Sequence, residues 1–217
     1  MSEREDGRLL RGARSRQTIL RHAVDVASLE GLTGLTIGRL ATDLGVSKSN
    51  VQTLFRTKEN LQLATAEFAR ETFRAAVVQP ALLASPGTQR LRALTEAWLD
   101  YVQEPLFPGG CFWAATLPDF DSRPGPVRDT LARHQQEWRT LIATELRQAV
   151  TAGEIAVPDV TLAAFQIDAV LVATNIALRL GDDNATANAR RVIEAVMAKP
   201  APHTRRPRRS PATRPAR

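Results

Sequence analysis

The chain has 217 residues, of which 43% are hydrophobic and 24% charged, an ordinary balance for a globular protein able to bury a core. A single cysteine, Cys111, excludes an internal disulfide. No apolar run reaches the roughly 18 residues of a membrane span, and MSEREDGRLLRGARSRQ lacks a signal-type apolar core, so the expected location is cytoplasmic, without membrane partners.

The net charge of +6 is unevenly distributed. Residues 1–60 hold 10 basic and 7 acidic side chains, residues 61–198 hold 12 and 16, and residues 199–217 hold 7 basic and no acidic ones. Positive ends around an acidic middle suit a DNA-binding head on a body that stays off DNA. Residues 1–13 are charged and unpatterned and read as a mobile arm. Alternatively, Arg8, Arg11 and Arg14 reach a minor groove. A helix is expected from about Arg16 to Leu29, with Ser15 as its cap and Ile19, Leu20, Ala23, Val26 and Ala27 on its inner face.

Next comes TIGRLATDLGVSKSNVQTLFRTKE, Thr36 to Glu59. Ile37, Leu40, Ala41 and Leu44 make one helix face, with Thr36 as N-cap and Gly45 as terminator. Ser47 caps a second helix that buries Val51, Leu54 and Phe55. Its other positions, Lys48, Ser49, Asn50, Gln52, Thr53 and Arg56, include no acid. Two short helices about a glycine turn form a helix-turn-helix, whose second helix can enter a major groove. Asn and Gln can pair bidentately with adenine, Lys can donate to guanine, and Ser or Thr can serve a base or a phosphate. An ordinary solvated helix would mix acidic with basic residues. Thr57 then caps a fourth helix with Leu61, Ala64 and Phe68 inside, ending before Gln79-Pro80 and Ser85-Pro86-Gly87.

The stretch LTIGRLATDLGVSKSNVQTLFRTKENL, Leu35 to Leu61, with the helix and Gly31 before it, resembles the TetR family of transcriptional regulators over about residues 14–70. The resemblance implies an all-α homodimer with an N-terminal DNA-binding domain and a larger C-terminal domain that binds a small effector. It also implies repression relieved by that effector. Carried over by position, Thr36 and Lys58 are phosphate contacts at the starts of the second and fourth helices, and Ser47 to Thr53 form the recognition segment. The chain departs from the family where Gln52 replaces a common Tyr and Leu54 a His or Tyr, so the operator does not follow by analogy.

Beyond the head, a helix is expected over Thr88–Gln103, with Leu91, Leu94, Trp98 and Tyr101 in register. A Pro/Gly-broken stretch follows, containing a short helix from Cys111 to Leu117. A long helix then runs from Pro126 to about Ala152. Seven of the eleven aromatics, including every tryptophan, fall between Trp98 and Trp138. Trp98, Tyr101, Phe112, Trp113 and Trp138 are the candidate lining of an apolar pocket, with core filling as the alternative. Tyr101, Gln135 and Asn175 are candidate polar contacts within it. The helix expected over Thr161–Leu180 is apolar on nearly every face and must be covered on more than one side. In a two-fold dimer the cover is a second copy, so Phe165, Ala169, Val172, Ala173 and Ile176, with Val192 and Val196 of the next helix, form the candidate dimer interface.

Catalytic material is sparse. His22, His134 and His203 have no partners at metal-ligand spacing, and there is no phosphate loop, dinucleotide fingerprint or nucleophile elbow. Asp119 and Asp121 read as loop and cap residues, and Cys111 as a small buried hydrophobe rather than a redox sensor. The expectation is therefore a non-enzyme without metal or cofactor. The predicted architecture is all-α: a three-helix helix-turn-helix domain at 14–70, a larger helical effector-binding and dimerisation domain at 80–198, and a disordered basic Pro/Arg-rich tail at 199–217 that adds DNA affinity or only solubility. The predicted function is a homodimeric, sequence-specific repressor of a double-stranded DNA operator, released by a small apolar or aromatic effector. The alternatives are a ligand-independent regulator or an activator, or an enzyme using the central pocket, against which the missing acid/base constellation argues.

Overall fold

The computed structural model describes residues 3–198, with side chains described for residues 12–198; the basic tail lies outside them. Nine helices and no strands are found among the described residues. In chain order they are α1 Glu3–Glu30, α2 Ile37–Asp43, α3 Lys48–Phe55, α4 Lys58–Phe73, α5 Thr88–Gln103, α6 Phe112–Phe120, α7 Pro126–Thr151, α8 Val160–Arg179 and α9 Ala185–Met197. One 3-10 turn, Leu32–Gly34, joins α1 to the approach to α2.

The head forms where local signals agree. Thr36, Ser47 and Thr57 each hold an extended backbone, and their hydroxyls accept the amide N–H groups of Arg39, Asn50 and Asn60 at 3.0, 3.2 and 3.0 Å. Each cap satisfies a donor that the first helical turn leaves unpaired. Leu40, Ala41, Val51 and Phe55 bury against Ile19, Leu20, Ala23 and Ala27 of α1, while Leu54 is half-buried.

Two expectations about the first helices need correction. Residues 3–13 are the first turns of α1 rather than an arm, so Ser15 is interior and not a cap. The segment has no proline, and Glu3, Glu5 and Asp6 favour a helix N-terminus. Nor does the helix after Thr57 stop before Pro80. From α4 the chain continues through a π-turn, Arg74–Val78, into Gln79–Ala81. A proline ring collides with the carbonyl four residues back in an α-helix, and the wider π-turn gives Pro80 room.

The body is built on α5, α7 and α8. Neither Gly87 nor any side chain of its own caps α5; instead α7 and the turn after it supply the acceptors. Glu145 takes the Gly87 N–H at 3.0 Å, and Glu154 takes the Thr88 N–H and hydroxyl at 2.8 and 2.7 Å. Glu145 is buried and lies 3.5 Å from Arg90, an arrangement that meets its charge as well as its lone pairs. By length and mean hydropathy, 1.6, α8 could cross a membrane, but it is two-faced rather than uniformly apolar. Its inner side holds Ala163, Ala164, Ile167, Asp168, Leu171, Thr174 and Asn175, and its outer side shows Leu162, Phe165 and Ile176.

Candidate DNA-binding face and candidate effector cavity

Lys48, Ser49, Asn50, Gln52, Thr53 and Arg56 are all exposed along α3 and its end, as are Ser47 and Lys58. Several are engaged locally. The Thr53 hydroxyl donates to Ser49 O at 2.8 Å, and the Gln52 amide turns onto Arg56 O. Lys58 Nζ donates to Thr33 O at 2.8 Å. Asn50 and Lys48 have no recorded side-chain partner among the described residues. Thr36 is exposed beside Arg39, whose guanidinium is paired with Glu30 and Asp43. The face therefore presents amides, hydroxyls and two lysines, the groups that read base edges and phosphates.

A cavity of about 360 Å³ lies in the body, within the range of small-molecule sites. Trp98, Trp113 and Trp138 line it. Tyr101 and Phe112, expected beside them, lie behind the wall. Tyr101 Oη donates to Gly110 O at 3.3 Å and accepts the Phe112 N–H at 3.0 Å, and Phe112 is wholly buried beside Phe107 and Trp113. Of the expected polar contacts, Gln135 lines the cavity but gives its amide to both oxygens of Asp168 at 2.8 Å. Asn175 instead accepts the Cys111 N–H at 2.9 Å, outside the lining.

Sequence reasoning missed other parts of the wall. Phe73, Arg74 and Val78 come from α4 and its π-turn, and Leu117 comes from α6. Phe73 packs edge-on against Tyr101, Trp113 and Trp138 at centroid distances of 5.3, 5.2 and 5.5 Å. The signal was present in the four-residue repeat Leu61, Thr65, Ala69, Phe73. Asp168 and His134 also line the cavity. Burial raises the Asp168 carboxyl above its ordinary range, opposed by Gln135 and Arg139, and Arg139 Nε lies 3.3 Å away without hydrogen-bond alignment. Burial lowers the imidazole of His134, opposed by its bond to Glu67, and raises the thiol of Cys111. A buried thiol held protonated is a poor nucleophile. Among the described residues no group of His, Cys, Asp and Glu is arranged to hold a metal.

Two helices belong to both places. Lys58 opens α4 at the candidate DNA face, and the end of α4 forms cavity wall. Trp113, Ala114, Leu117 and Pro118 of α6 line the cavity, while Asp119, the next residue, reaches the head: its Oδ2 accepts the Thr33 hydroxyl at 3.0 Å and the Thr33 N–H at 3.4 Å. Gly31, at φ 73°, leaves the space that this carboxylate fills.

Residues 87–193 match the family model of the tetracyclin repressor-like C-terminal domain. Over those residues the chain belongs to the TetR family. Its members are transcriptional regulators rather than enzymes. The chain has the fold of a TetR transcriptional regulator from Chloroflexus aurantiacus J-10-FL, at 22% identity and a TM-score of 0.79, covering 87% of this chain and 97% of that one. A TetR-family regulator from Agrobacterium tumefaciens matches at 18% identity and a TM-score of 0.75, covering 85% and 99%. AibR, solved in complex with isovaleryl coenzyme A and operator DNA, matches at 15% identity and a TM-score of 0.67, covering 85% and 98%. No curated protein matches the sequence.

Proposed function

We propose that this TetR-family regulator is a cytoplasmic homodimeric repressor that leaves its operator when a small apolar or aromatic effector enters the cavity. The head is assigned to residues 14–70 and the effector-binding and dimerisation body to residues 80–198. In the head, Lys48, Ser49, Asn50, Gln52 and Thr53 meet base edges, and Thr36, Ser47, Arg56 and Lys58 meet phosphates. The observation that carries this reading is the double membership of α4 and α6. A ligand that prefers a different wall arrangement must move helices that also hold the head, and so shifts the population away from the DNA-competent state.

The exposed stripe on α8 supports the dimer. Leu162, Phe165, Ala169, Ala173, Ile176 and Leu180 face outward at three- and four-residue spacings, and Val192 of α9 extends the patch. Leu162, Phe165 and Ile176 are each more than half exposed in the single chain. Such a stripe is the seam of helix pairing, and a second copy would cover it symmetrically. Val172 and Ile176 also line the cavity, so that copy would close one of its edges. The fold relative AibR, solved with both a ligand and operator DNA, supports a two-site reading.

The test begins by selecting bound sequences from a random DNA library. Operator affinity is then measured against small aromatic compounds that change tryptophan emission. The reading expects a compound whose binding weakens operator binding, and by linkage the operator must weaken compound binding by the same factor. A compound that fills the cavity without changing operator affinity sinks effector release and leaves DNA-binding regulation standing.

A further inference from the structure

The charges on the cavity wall do not cancel. Four lining residues carry a full charge: Arg70, Arg74, Glu137 and Asp168. Arg70 lies 2.8 Å from Glu137. Asp168 receives the Gln135 amide on both oxygens at 2.8 Å, and Arg139, outside the lining, lies 3.3 Å away. Arg74 is left over: it makes no ion pair and no side-chain hydrogen bond among the described residues. His134 adds no fixed charge, because burial pushes its imidazole toward the neutral form. The surplus is therefore a single positive charge, and its place is defined. Arg74 is exposed and opens the π-turn at the end of α4, next to Phe73, which is buried in the wall. Apolar side chains, among them Trp98, Trp138 and Leu171, make most of the remaining lining.

We propose that the effector is an aromatic monocarboxylate, whose ring lies among Phe73, Trp98 and Trp138 and whose carboxylate pairs with the Arg74 guanidinium at the exposed edge of the cavity. This assignment rests on the effector reading of the cavity. A guanidinium presents parallel N–H donors to the two oxygens of a carboxylate, so geometry is matched as well as charge. A dianion leaves one negative charge over, beside Glu137 and Asp168. An ammonium meets an unpartnered cation, while the acids that could receive it are already engaged. A neutral compound leaves Arg74 to water, which costs little at an exposed side chain, so neutral compounds can enter and charge decides which binds best. A carboxylate gives up more hydration than a neutral group on leaving water, so it outbinds its own amide only where a cation receives it. The pairing also sets the ligand's charge on the end of the helix that begins at Lys58.

The test is calorimetric titration of the full-length protein, at low and at moderate salt, with naphthoate, naphthamide, naphthalene and naphthylmethylamine, which share one ring system. Naphthoate should bind about fivefold tighter than naphthamide at low salt, and the advantage should shrink as salt screens the pair. Arg74→Gln, at an exposed side chain, should leave naphthamide unchanged and bring naphthoate below it. Arg74→Lys should keep part of the preference, since it keeps the charge and loses the paired donors. The wild-type series decides the assignment even where a variant folds poorly. Naphthamide binding as tightly as naphthoate, tightest binding of the amine, or unchanged naphthoate affinity in Arg74→Gln overturns the carboxylate assignment and leaves the effector cavity in place. Binding of none of the four overturns the effector reading itself.

Discussion

Arg56 joins α3 to α4 through a single strained residue. Its φ is 63°, and the Thr57 N–H closes a tight turn onto Phe55 O at 2.7 Å. A residue with a Cβ holds such a backbone at a cost of about 1–3 kcal/mol. Arg56→Gly should therefore raise stability by about 1 kcal/mol after glycine's larger unfolded entropy is counted. Urea unfolding checks this, and an unchanged midpoint means the turn is relaxed. The same change should weaken DNA binding, since a cation leaves the face. Asn50 and Lys58 separate two kinds of contact. Asn50→Ala should relax preference at one base position, with about 1–3 kcal/mol of discrimination lost. Lys58→Ala should weaken all sequences alike and reduce the salt slope by about one. Equal losses on every sequence for both variants would remove Asn50 from base reading. His134 gives a pH signature. Its folded pKa lies below its ordinary value, so below about pH 6.5 the unfolded chain takes up the proton first, and stability falls as pH falls through that range. Above it the residue contributes no slope. A His134→Gln variant that still folds should lose this part of the pH dependence, seen as a smaller drop in Tm between neutral and mildly acidic pH.

At the scale of the element, α8 buries three polar residues on its inner side and shows three large apolar ones, Leu162, Phe165 and Ile176, on its outer side. Asp168, Thr174 and Asn175 are buried, while Phe165 and Ile176 are exposed. Uncovered, that arrangement leaves a contiguous apolar stripe in water, which monomeric proteins rarely tolerate. Light scattering at micromolar concentration should give twice the chain mass, and Ala173→Arg, on an exposed position that leaves the body's own packing intact, should halve it. A monomeric wild type would remove the dimer. The helices themselves were largely legible in the sequence, because their starts are written locally. Thr36, Ser47 and Thr57 announce caps three residues before the amides they satisfy, and Gly45 and Pro126 mark an end and a beginning. What was illegible depends on partners distant in sequence. Glu145 and Glu154 cap α5 from more than fifty residues away, and nothing near Gly87 reveals it. The tryptophans advertised an aromatic body. Which rings face the cavity depends on helix rotation, and Tyr101 turned away because its hydroxyl is held between Gly110 and Phe112. Asp119 looked like a loop residue because its partner, Thr33, lies in the other half of the fold.

For the whole molecule, the proposed effector release requires a route from a filled cavity to the head. One route is α4 itself, which runs from Lys58 to wall residues Phe73 and Arg74. A second route is shorter in bonds: α6 lines the cavity, Asp119 at its end grips Thr33, and Thr33 O receives Lys58 Nζ at 2.8 Å. The space is tight, since a Cβ on Gly31 would lie 2.1 Å from Asp119 Oδ2. A third junction stands beside them, where Gly109 N–H donates to Ser28 Oγ at 2.9 Å and fixes the turn before α6 to the end of α1. If the α6 route carries the signal, Asp119→Ala should leave cavity affinity and dimer mass unchanged while lowering the factor by which ligand weakens operator binding. Coupling energies of this kind are about 1–3 kcal/mol, so the lost bonds to Thr33 can account for much of one. Asp119→Asn keeps an oxygen acceptor for Thr33 and should retain part of the coupling. Gly31→Ala should reproduce the alanine effect from the other side, by pushing the carboxylate away. The measurement is operator affinity with and without saturating ligand for each variant. Full coupling in Asp119→Ala would assign the transmission to α4 and its π-turn, and Val78→Ala, at the wall end of that turn, would then be the variant in which it fails.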